Sequence, residues 1–284
     1  MMASPVNQNP SDANRSLFSD WQQGGLYPGE TGYEPGVGTH ITGSGVDDLN
    51  FTMAQAGVTA AGFDKNGSGA PSMYEFSADE PNEWLAIAEN SDFGFLTNTS
   101  QIKLEINRPY FILIRGDRSI DLSINDTNTT PTVLRQTGSL AIGDVNADFV
   151  PGNAATSNDG FVAVANPYQS PLDFKEALQD VPGVFENTIW FYDQTDSNSG
   201  AFNAITDVNG SFINTLPGSN VTPVLQPGQS IFVQVQESPS VGDLIFSESH
   251  KVTDPLIDIY SKSEEPIKEG FVRLGVYDTK HLRI

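Results

Sequence analysis

Three oxygen-bearing side chains in one short segment are the residues best spaced for chemistry. They lie in Asp144-Val-Asn-Ala-Asp148, whose alternating Asp, Asn and Asp match the first half of a calcium-binding loop. The sixth loop position is Phe149 instead of Gly and the twelfth is Ala155 instead of Glu, which excludes a helix-loop-helix calcium site. Asp144, Asn146 and Asp148 are therefore a candidate calcium site in a looser loop, and an ordinary Asp/Asn turn is the alternative.

Aromatic side chains are the second group with a chemical use, because a sugar ring stacks on an exposed aromatic face. Tyr168, Trp190 and Tyr192 are the candidate ligand-binding residues on that ground. Core packing is the alternative, since Trp190 and Tyr74 occupy matching positions of the internal repeat described below.

The sequence offers little for catalysis. It has no Cys, which excludes disulfides, zinc-thiolate sites and Cys nucleophiles, and it has no G-x-S-x-G elbow. His40, His250 and His281 lie far apart and lack metal-ligand partners at helical spacing. The Arg115-Gly-Asp117 triplet matches an integrin-binding tripeptide, which we interpret as coincidence. We therefore expect a protein that is not an enzyme, with calcium as its only candidate cofactor.

Composition narrows the class of partner. The chain has 284 residues and a formal net charge of −22, so it repels a nucleic-acid backbone. No apolar run approaches the roughly 20 residues that span a bilayer, and the opening residues 1–5 lack the basic and apolar regions of a signal peptide. Asn, Ser, Thr and Gly supply most of the polarity, which is typical of turn-rich β proteins.

An internal repeat organises the chain. Strand candidates at 72–76, 84–87 and 110–115 match candidates at 188–192, 202–205 and 230–235. The offsets are 116 residues from Met73 to Ile189, 118 from Trp84 to Phe202 and 120 from Phe111 to Ile231. Two small loop insertions explain this drift, so the pattern predicts two copies of one β-rich unit.

Each copy also carries one predicted helix after its first strand. In the first copy the helix covers 46–56, and in the second Ser170 caps a helix that begins at Pro171 and runs to Leu178. The sequence therefore predicts a mainly β protein made of two tandem homologous β-sandwich-like modules, each with one short helix.

The predicted boundaries follow from composition. We expect a flexible lead-in at 1–33, a first β module at 34–150 and a second at 158–250, with a linker at 149–158. Residues 251–284 are predicted to be an extended segment with a final strand within 270–277. We expect this strand either to join the edge of the second module or to open a domain that is missing from the chain.

Two stretches resemble a known family. Gly160-Phe-Val-Ala-Val-Ala-Asn-Pro-Tyr168, Ile189-Trp-Phe-Tyr-Asp193 and Leu225-Gln-Pro-Gly-Gln229 are similar to the "GNPY … PGQ" module of large Bacteroidota surface proteins. That module stands upstream of type IX secretion sorting domains. Arg108 to Arg118, with Thr132 to Gly138, resembles an "RGDR … LRATG" segment of the same proteins.

The resemblance implies location more than activity, because such modules accompany adhesins and enzymes alike. It implies an extracellular or cell-surface protein whose partners are the other domains of the same surface protein. We expect a non-catalytic structural or adhesion module. The alternative is a carbohydrate-binding accessory module of an extracellular hydrolase, with glycans as its partners.

Overall fold

The structure is a computed structural model that describes most of the chain. The described residues are 1–43, 62–66, 70–76, 84–87, 99–122, 130–147, 160–193, 200–214, 221–237, 239–240 and 242–253. The predicted helix at 46–56, the linker at 149–158 and the final strand at 270–277 lie outside these ranges.

The described residues are mainly β, as predicted. The strands are β1 (Val6–Asn7), β2 (Met73–Phe76), β3 (Trp84–Ala86), β4 (Tyr110–Ile112), β5 (Ser139–Leu140), β6 (Val145–Asn146), β7 (Phe161–Ala165), β8 (Leu172–Asp173), β9 (Phe185–Asp193), β10 (Ala201–Val208), β11 (Ser211–Asn214), β12 (Val224–Leu225), β13 (Ser230–Val235) and β14 (Ile245–Phe246). The helices are α1 (Leu17–Asp20) and α2 (Phe174–Gln179), with short 3-10 turns at Gln23–Gly25 and Glu248–His250.

Two antiparallel sheets form the centre of the two modules. The first has the strand order β3-β2-β4 and the second has the order β11-β10-β9-β13-β7. Three two-stranded pairs, β1-β5, β12-β8 and β14-β6, surround them. In each sheet the earliest strand of the repeat, β2 or β9, lies between its two matched partners.

Strand register supports the internal repeat. Tyr74 lies opposite Ala86, and Trp190 lies opposite Ala204, at the offsets of 116 and 118 residues that the sequence predicts. Across the other edge, Tyr74 pairs with Phe111 and Trp190 pairs with Phe232. Phe111 and Phe232 are 121 residues apart, so the predicted offset of 120 for this strand was wrong by one residue.

Each sheet covers its own core with one face. The first core contains Leu17, Trp21, Ile41, Phe63, Met73, Ile87, Ile102, Leu104 and Tyr110. The second is larger and contains, among others, Val162, Val164, Tyr168, Phe174, Ile189, Phe191, Ile231, Val233 and Phe246. Ala141, Val145 and Ala147 pack on the second core, so contacts with that module begin before the predicted first-module end at 150.

The opposite faces of the two sheets meet through six aromatic residues, which we call the aromatic layer. The layer consists of Phe76, Trp84 and Phe111 from the first sheet and Tyr192, Phe202 and Phe232 from the second. Ring centroids across the layer are 4.7 Å apart for Phe76 and Phe232 and 4.9 Å apart for Phe111 and Tyr192. Both pairs meet edge to face, the geometry that aromatic quadrupoles favour.

The aromatic layer has approximate two-fold symmetry. By register, Phe76 matches Tyr192 and Phe111 matches Phe232, so the two contacts across the layer are equivalent. Contacts within each sheet match as well: the Phe76–Trp84 centroid distance is 5.4 Å and the Tyr192–Phe202 distance is 5.2 Å. The repeat therefore buries the same residue positions of both modules against each other, as an isologous interface does.

Residues 1–33 pack into the fold, which corrects the prediction of a flexible lead-in. Leu17 and Trp21 are fully buried in the first core, and β1 pairs with β5. Met2 bridges Tyr110 in the first module and Gln229 in the second. The prediction was wrong because it rested on the polar composition of the segment. The segment is held by backbone hydrogen bonds to distant residues, and composition does not indicate such bonds.

The helix of the second module begins later than predicted. Leu172 and Asp173 pair with β12, so Pro171 precedes a short strand and α2 starts at Phe174. Asp173 provides the cap, because its carboxylate accepts a hydrogen bond from Lys175 N at 2.9 Å. The carbonyl of Ser170, the predicted cap, instead accepts a hydrogen bond from the side chain of Asn166 at 2.9 Å.

Phe232 is the central ring of the aromatic layer, and replacing it measures how much the layer contributes to stability. It is 7% exposed and contacts Phe76, Trp84, Phe161 and Phe202. We expect Phe232→Ala to lower the free energy of unfolding by about 3–5 kcal/mol, because it leaves a cavity between two sheets. Urea unfolding followed by circular dichroism measures this. A loss below about 1 kcal/mol would contradict the packing role.

Ile142→Ala is the matched control for that measurement. Ile142 is 82% exposed, so truncating it removes apolar surface that is already in water. We expect its free energy of unfolding to stay within about 0.5 kcal/mol of the unmodified protein.

Candidate functional site

Tyr168, a candidate ligand-binding residue, lies in the second core. Its side chain is fully buried, and its hydroxyl lies 2.7 Å from the carbonyl oxygens of both Gly143 and Phe246. Lys251 Nζ lies 4.1 Å from the ring centroid. Burial, with smaller contributions from Glu248 and Asp144, raises the pKa of Tyr168 to about 12, so the hydroxyl stays a neutral donor. The side chain thus joins β14 to the segment before β6.

Trp190 and Tyr192 project from the face of β9 that carries the aromatic layer. Tyr192 is a member of that layer, and Trp190 packs against Phe161 at a centroid distance of 4.9 Å and an interplanar angle of 72°. Tyr192 and Phe202 meet at 68°. Sugar stacking needs open ring faces, whereas these rings place edges against faces. The structure therefore brings Trp190 and Tyr192 to one sheet face and separates them from Tyr168.

The candidate calcium loop is described only in part, because Asp148 lies outside the described residues. Asn146 belongs to β6 and pairs with Ile245, and its carbonyl accepts a hydrogen bond from Asn107. The Asp144–Asn146 segment is thus strand rather than turn at its second ligand position. Within the described part of the chain, no group of three or more His, Asp or Glu residues is placed to hold a metal ion. The calcium site stays a prediction.

The most highly charged buried cluster of the described residues was not predicted from the sequence. Its centre is the ion pair of Asp64 and Arg118, two side chains that are both fully buried. The pair is bidentate: Arg118 Nη1 lies 2.9 Å from Asp64 Oδ2, and Arg118 Nη2 lies 2.8 Å from Oδ1. Asp64 and Arg118 are 54 residues apart in the chain, so sequence spacing does not indicate the pair.

Further donors surround the Asp64 carboxylate. Gln22 Nε2 and Ile41 N each donate to Oδ2 at 2.9 Å, and the Tyr27 hydroxyl donates to Oδ1 at 3.4 Å. Asp64 is positioned by its own backbone, since its N–H donates to Ile41 O at 2.8 Å. The two carboxylate oxygens therefore accept hydrogen bonds from four residues, Gln22, Tyr27, Ile41 and Arg118. Asp64 thus connects parts of the chain that are distant in sequence.

The Arg118 guanidinium also donates hydrogen bonds to two backbone carbonyls. Its Nε donates to Leu26 O at 2.7 Å and its Nη1 to Thr39 O at 3.2 Å. The guanidinium lies 4.9 Å from the centroid of the Tyr27 ring, within cation-π range. This planar fork suits arginine and not lysine, because a lysine ammonium cannot reach both carboxylate oxygens and the carbonyls at once.

Charge and burial compete at this cluster. Burial opposes ionisation of Asp64, but the Arg118 guanidinium and the hydrogen bonds to the carboxylate outweigh it and hold its pKa well below the ordinary value. Burial, followed by the Asp64 charge, raises the pKa of Tyr27. The His40 ring lies 5.8 Å from the Tyr27 ring, and its Nδ1 is 3.6 Å from Asp64 Oδ1, beyond hydrogen-bonding distance.

The Arg115-Gly-Asp117 triplet is also built into the fold. Asp117 is 6% exposed, and its carboxylate accepts hydrogen bonds from Gly36 N at 2.7 Å and from Ser119 N at 3.1 Å. An integrin-type receptor needs this carboxylate exposed for a metal ion, so the geometry agrees with the interpretation of the triplet as coincidence.

The second module has a cavity of about 230 Å³ between α2 and strands β9 and β11. Its lining includes Lys175, Glu186, Asn187, Asp207 and Phe212. Lys175 Nζ donates to Gly210 O at 2.7 Å, which directs its charge to the β10-β11 turn. The lining of the cavity therefore includes apolar side chains and charged side chains of both signs.

Comparisons with known proteins provide no relative. The chain matches no family model, no curated protein and no solved structure. In the described ranges, no helix has the length and apolar character needed to cross a membrane.

Breaking the Asp64–Arg118 pair is expected to be costly. We expect Arg118→Met to lower the free energy of unfolding by about 3–5 kcal/mol, because it leaves the Asp64 charge buried without its partner. Arg135→Met is the matched control, since Arg135 pairs with Glu34 at 2.8 Å on the surface, where both side chains are at least half exposed. We expect the control to change the free energy of unfolding by at most about 1 kcal/mol. Equal losses in the two variants would refute the assignment.

The depressed pKa of Asp64 also predicts a pH dependence. Its ion pair contributes stability that is fully present above the unfolded pKa of about 4 and is lost as the pH falls toward the lower folded pKa. The difference in free energy of unfolding between the unmodified protein and Asp64→Asn should therefore narrow as the pH falls below about 4. Urea titrations at several pH values measure this, and a difference that widens would be inconsistent with the assignment.

Proposed function

We propose that the protein is a non-catalytic structural or adhesion module of a secreted or surface-anchored bacterial protein. The aromatic layer is the observation that carries this proposal. It joins the matched faces of the two modules, so that the described parts of the pair pack as one body. A body of this kind suits a protein whose role is to hold neighbouring domains of the same surface protein in place.

The buried polar groups of the described residues support the same proposal. Asp117 bonds to backbone N–H groups, Asp64 and Arg118 bond to each other, and the Tyr168 hydroxyl meets two carbonyls. Each of these groups is engaged in holding segments of the chain together.

The resemblance to Bacteroidota modules upstream of type IX sorting domains supports the extracellular part of the proposal. Its test is labelling of intact cells of the source bacterium with antibodies raised against the purified chain. We expect labelling without permeabilisation and its loss after external protease treatment, with a ribosomal protein as the unlabelled control. Labelling only after permeabilisation would exclude a surface role.

A carbohydrate-binding accessory module is the second candidate, and one observation favours it. Phe202 is 44% exposed at the edge of the aromatic layer, whereas its matched residue Trp84 is half-buried. Sugar stacking requires an exposed ring, and at this matched position only the second module provides one. Glycans are then the partners, and Phe202 is the residue to test.

A glycan array separates the two candidates. For a structural module we expect a blank array in calcium and in chelator, with a melting temperature that chelator does not change. Reproducible binding to one glycan class that Phe202→Ala abolishes would instead establish the carbohydrate-binding candidate. A lower melting temperature in chelator would establish a calcium site, for which Asp144→Ala is the variant to compare.

A further inference from the structure

Residues 2–8 run as an extended segment along the first module. They lie antiparallel to residues 104–110: Met2 N donates to Tyr110 O at 2.9 Å, and Tyr110 N donates back to Met2 O at 2.7 Å. At the other end, Gln8 N donates to Leu104 O at 2.9 Å. The segment thus pairs with Tyr110 at the start of β4 and with the residues that precede this strand.

The same segment has partners on its other side. Ala3 N donates to Gly228 O at 2.8 Å, directly before β13 of the second module. Val6 and Asn7 pair with Leu140 and Ser139 through β1 and β5. Residues 2–8 therefore lie in a groove whose two walls are backbone edges, one from the first module and one from the second module and β5.

Burial along the segment shows how closely the groove fits it. Ala3 and Ser4 are fully buried, and Val6 and Gln8 are 6% and 2% exposed. Most of the side chains are small, and much of the recognition is through peptide N–H and C=O groups. This is the chemistry of strand addition, in which backbone hydrogen bonds give affinity and a few buried side chains give register.

An exposed turn connects the segment to the rest of the fold. Asn9, Pro10 and Ser11 are exposed, as are most residues up to Arg15, and α1 then begins after its cap Ser16. Within the turn, Asp12 N donates to Asn9 O at 3.0 Å and Arg15 N to Asp12 O at 3.3 Å. Residues 9–15 contribute no side chain to either core. Release of the strand breaks the hydrogen bonds from Lys103 Nζ to the carbonyls of Asp12 and Arg15 and the packing of Met2 on the first core.

We propose that the groove filled by residues 2–8 is a strand-exchange site that accepts residues 2–8 of a second copy of this chain. The second copy is the occupant because these same residues already satisfy both edges, and a copy provides identical groups. Withdrawal of the strand leaves two unpaired edges, at 104–110 and 228–230, which strongly favour refilling. Exchange of an identical element through a hinge is a low-cost route to a dimer. The inference concerns assembly and does not depend on the proposed function.

The first test uses the full chain with a sequence-specific protease site inserted between Pro10 and Ser11. After cleavage, a fluorescent peptide of residues 1–10 should enter the groove saturably, as measured by fluorescence anisotropy. A peptide with Ala3→Pro lacks the N–H that meets Gly228, and we expect it to bind at least tenfold more weakly. A peptide with Pro10→Ala, altered in the exposed turn, should bind as the original does. Equal binding of the Ala3→Pro peptide, or absence of binding to cleaved protein whose circular dichroism spectrum is unchanged, would overturn the proposal.

The second test uses uncut chains and covers the case in which cleavage unfolds the protein. The chain has no native Cys, so Val6→Cys and Leu140→Cys can be introduced in separate copies. These positions are directly opposite each other, and a disulfide between copies forms where the strand of one copy enters the groove of the other. We expect a covalent dimer in the mixture whose yield rises with protein concentration. Leu140→Cys mixed with Asn9→Cys is the control for random collision. A yield no higher than in this control would overturn the proposal.

Discussion

The central sheets are apolar on both faces, and this constraint governs the rest of the structure. In β13, Ile231 and Val233 face the second core while Phe232 faces the aromatic layer. A sheet with two apolar faces needs a cover on each, and the repeat provides it by turning the second face of each copy toward the other. Each aromatic contact contributes about 0.5–1.5 kcal/mol beyond area burial, so several contacts outweigh any surface ion pair of about 0–1 kcal/mol.

The two modules are stabilised by different contacts. Strands β7, β9, β10 and β13 are five to nine residues long and enclose a large core, whereas β2, β3 and β4 have three or four residues each. The described parts of the first module gain order from the Asp64–Arg118 pair, which ties together segments with little regular pairing. Residues 2–8 add backbone hydrogen bonds between both modules. A buried ion pair is costly to desolvate, so its contribution here is to fix which segments meet.

The sequence predicted the mainly β class and the six strands of the repeat because alternation and turn residues are local signals. The register of β9 and β10 followed from the repeat, since Trp190 and Ala204 match Tyr74 and Ala86. The register of β13 did not, because Ile231, Phe232 and Val233 are all apolar. A period-two pattern assigns faces only when one face is polar, so a shift by one residue could not be detected from this strand alone. One further strand, β11, had a usable signal in the Asn209-Gly210 turn.

The features that the sequence did not predict share one physical cause: their partners are distant in the chain. The groove around residues 2–8 is assembled from 104–110, 139–140 and 228–230, so a segment rich in Ser, Pro and Asn becomes buried without any apolar alternation of its own. Arg118 likewise finds Asp64 through the fold and not through sequence spacing. Local pattern therefore specifies elements that make their own contacts. Where the contacts come from backbone edges or single charges of separate segments, tertiary structure determines which residues pair. The groove around residues 2–8 and the Asp64–Arg118 ion pair are two such cases.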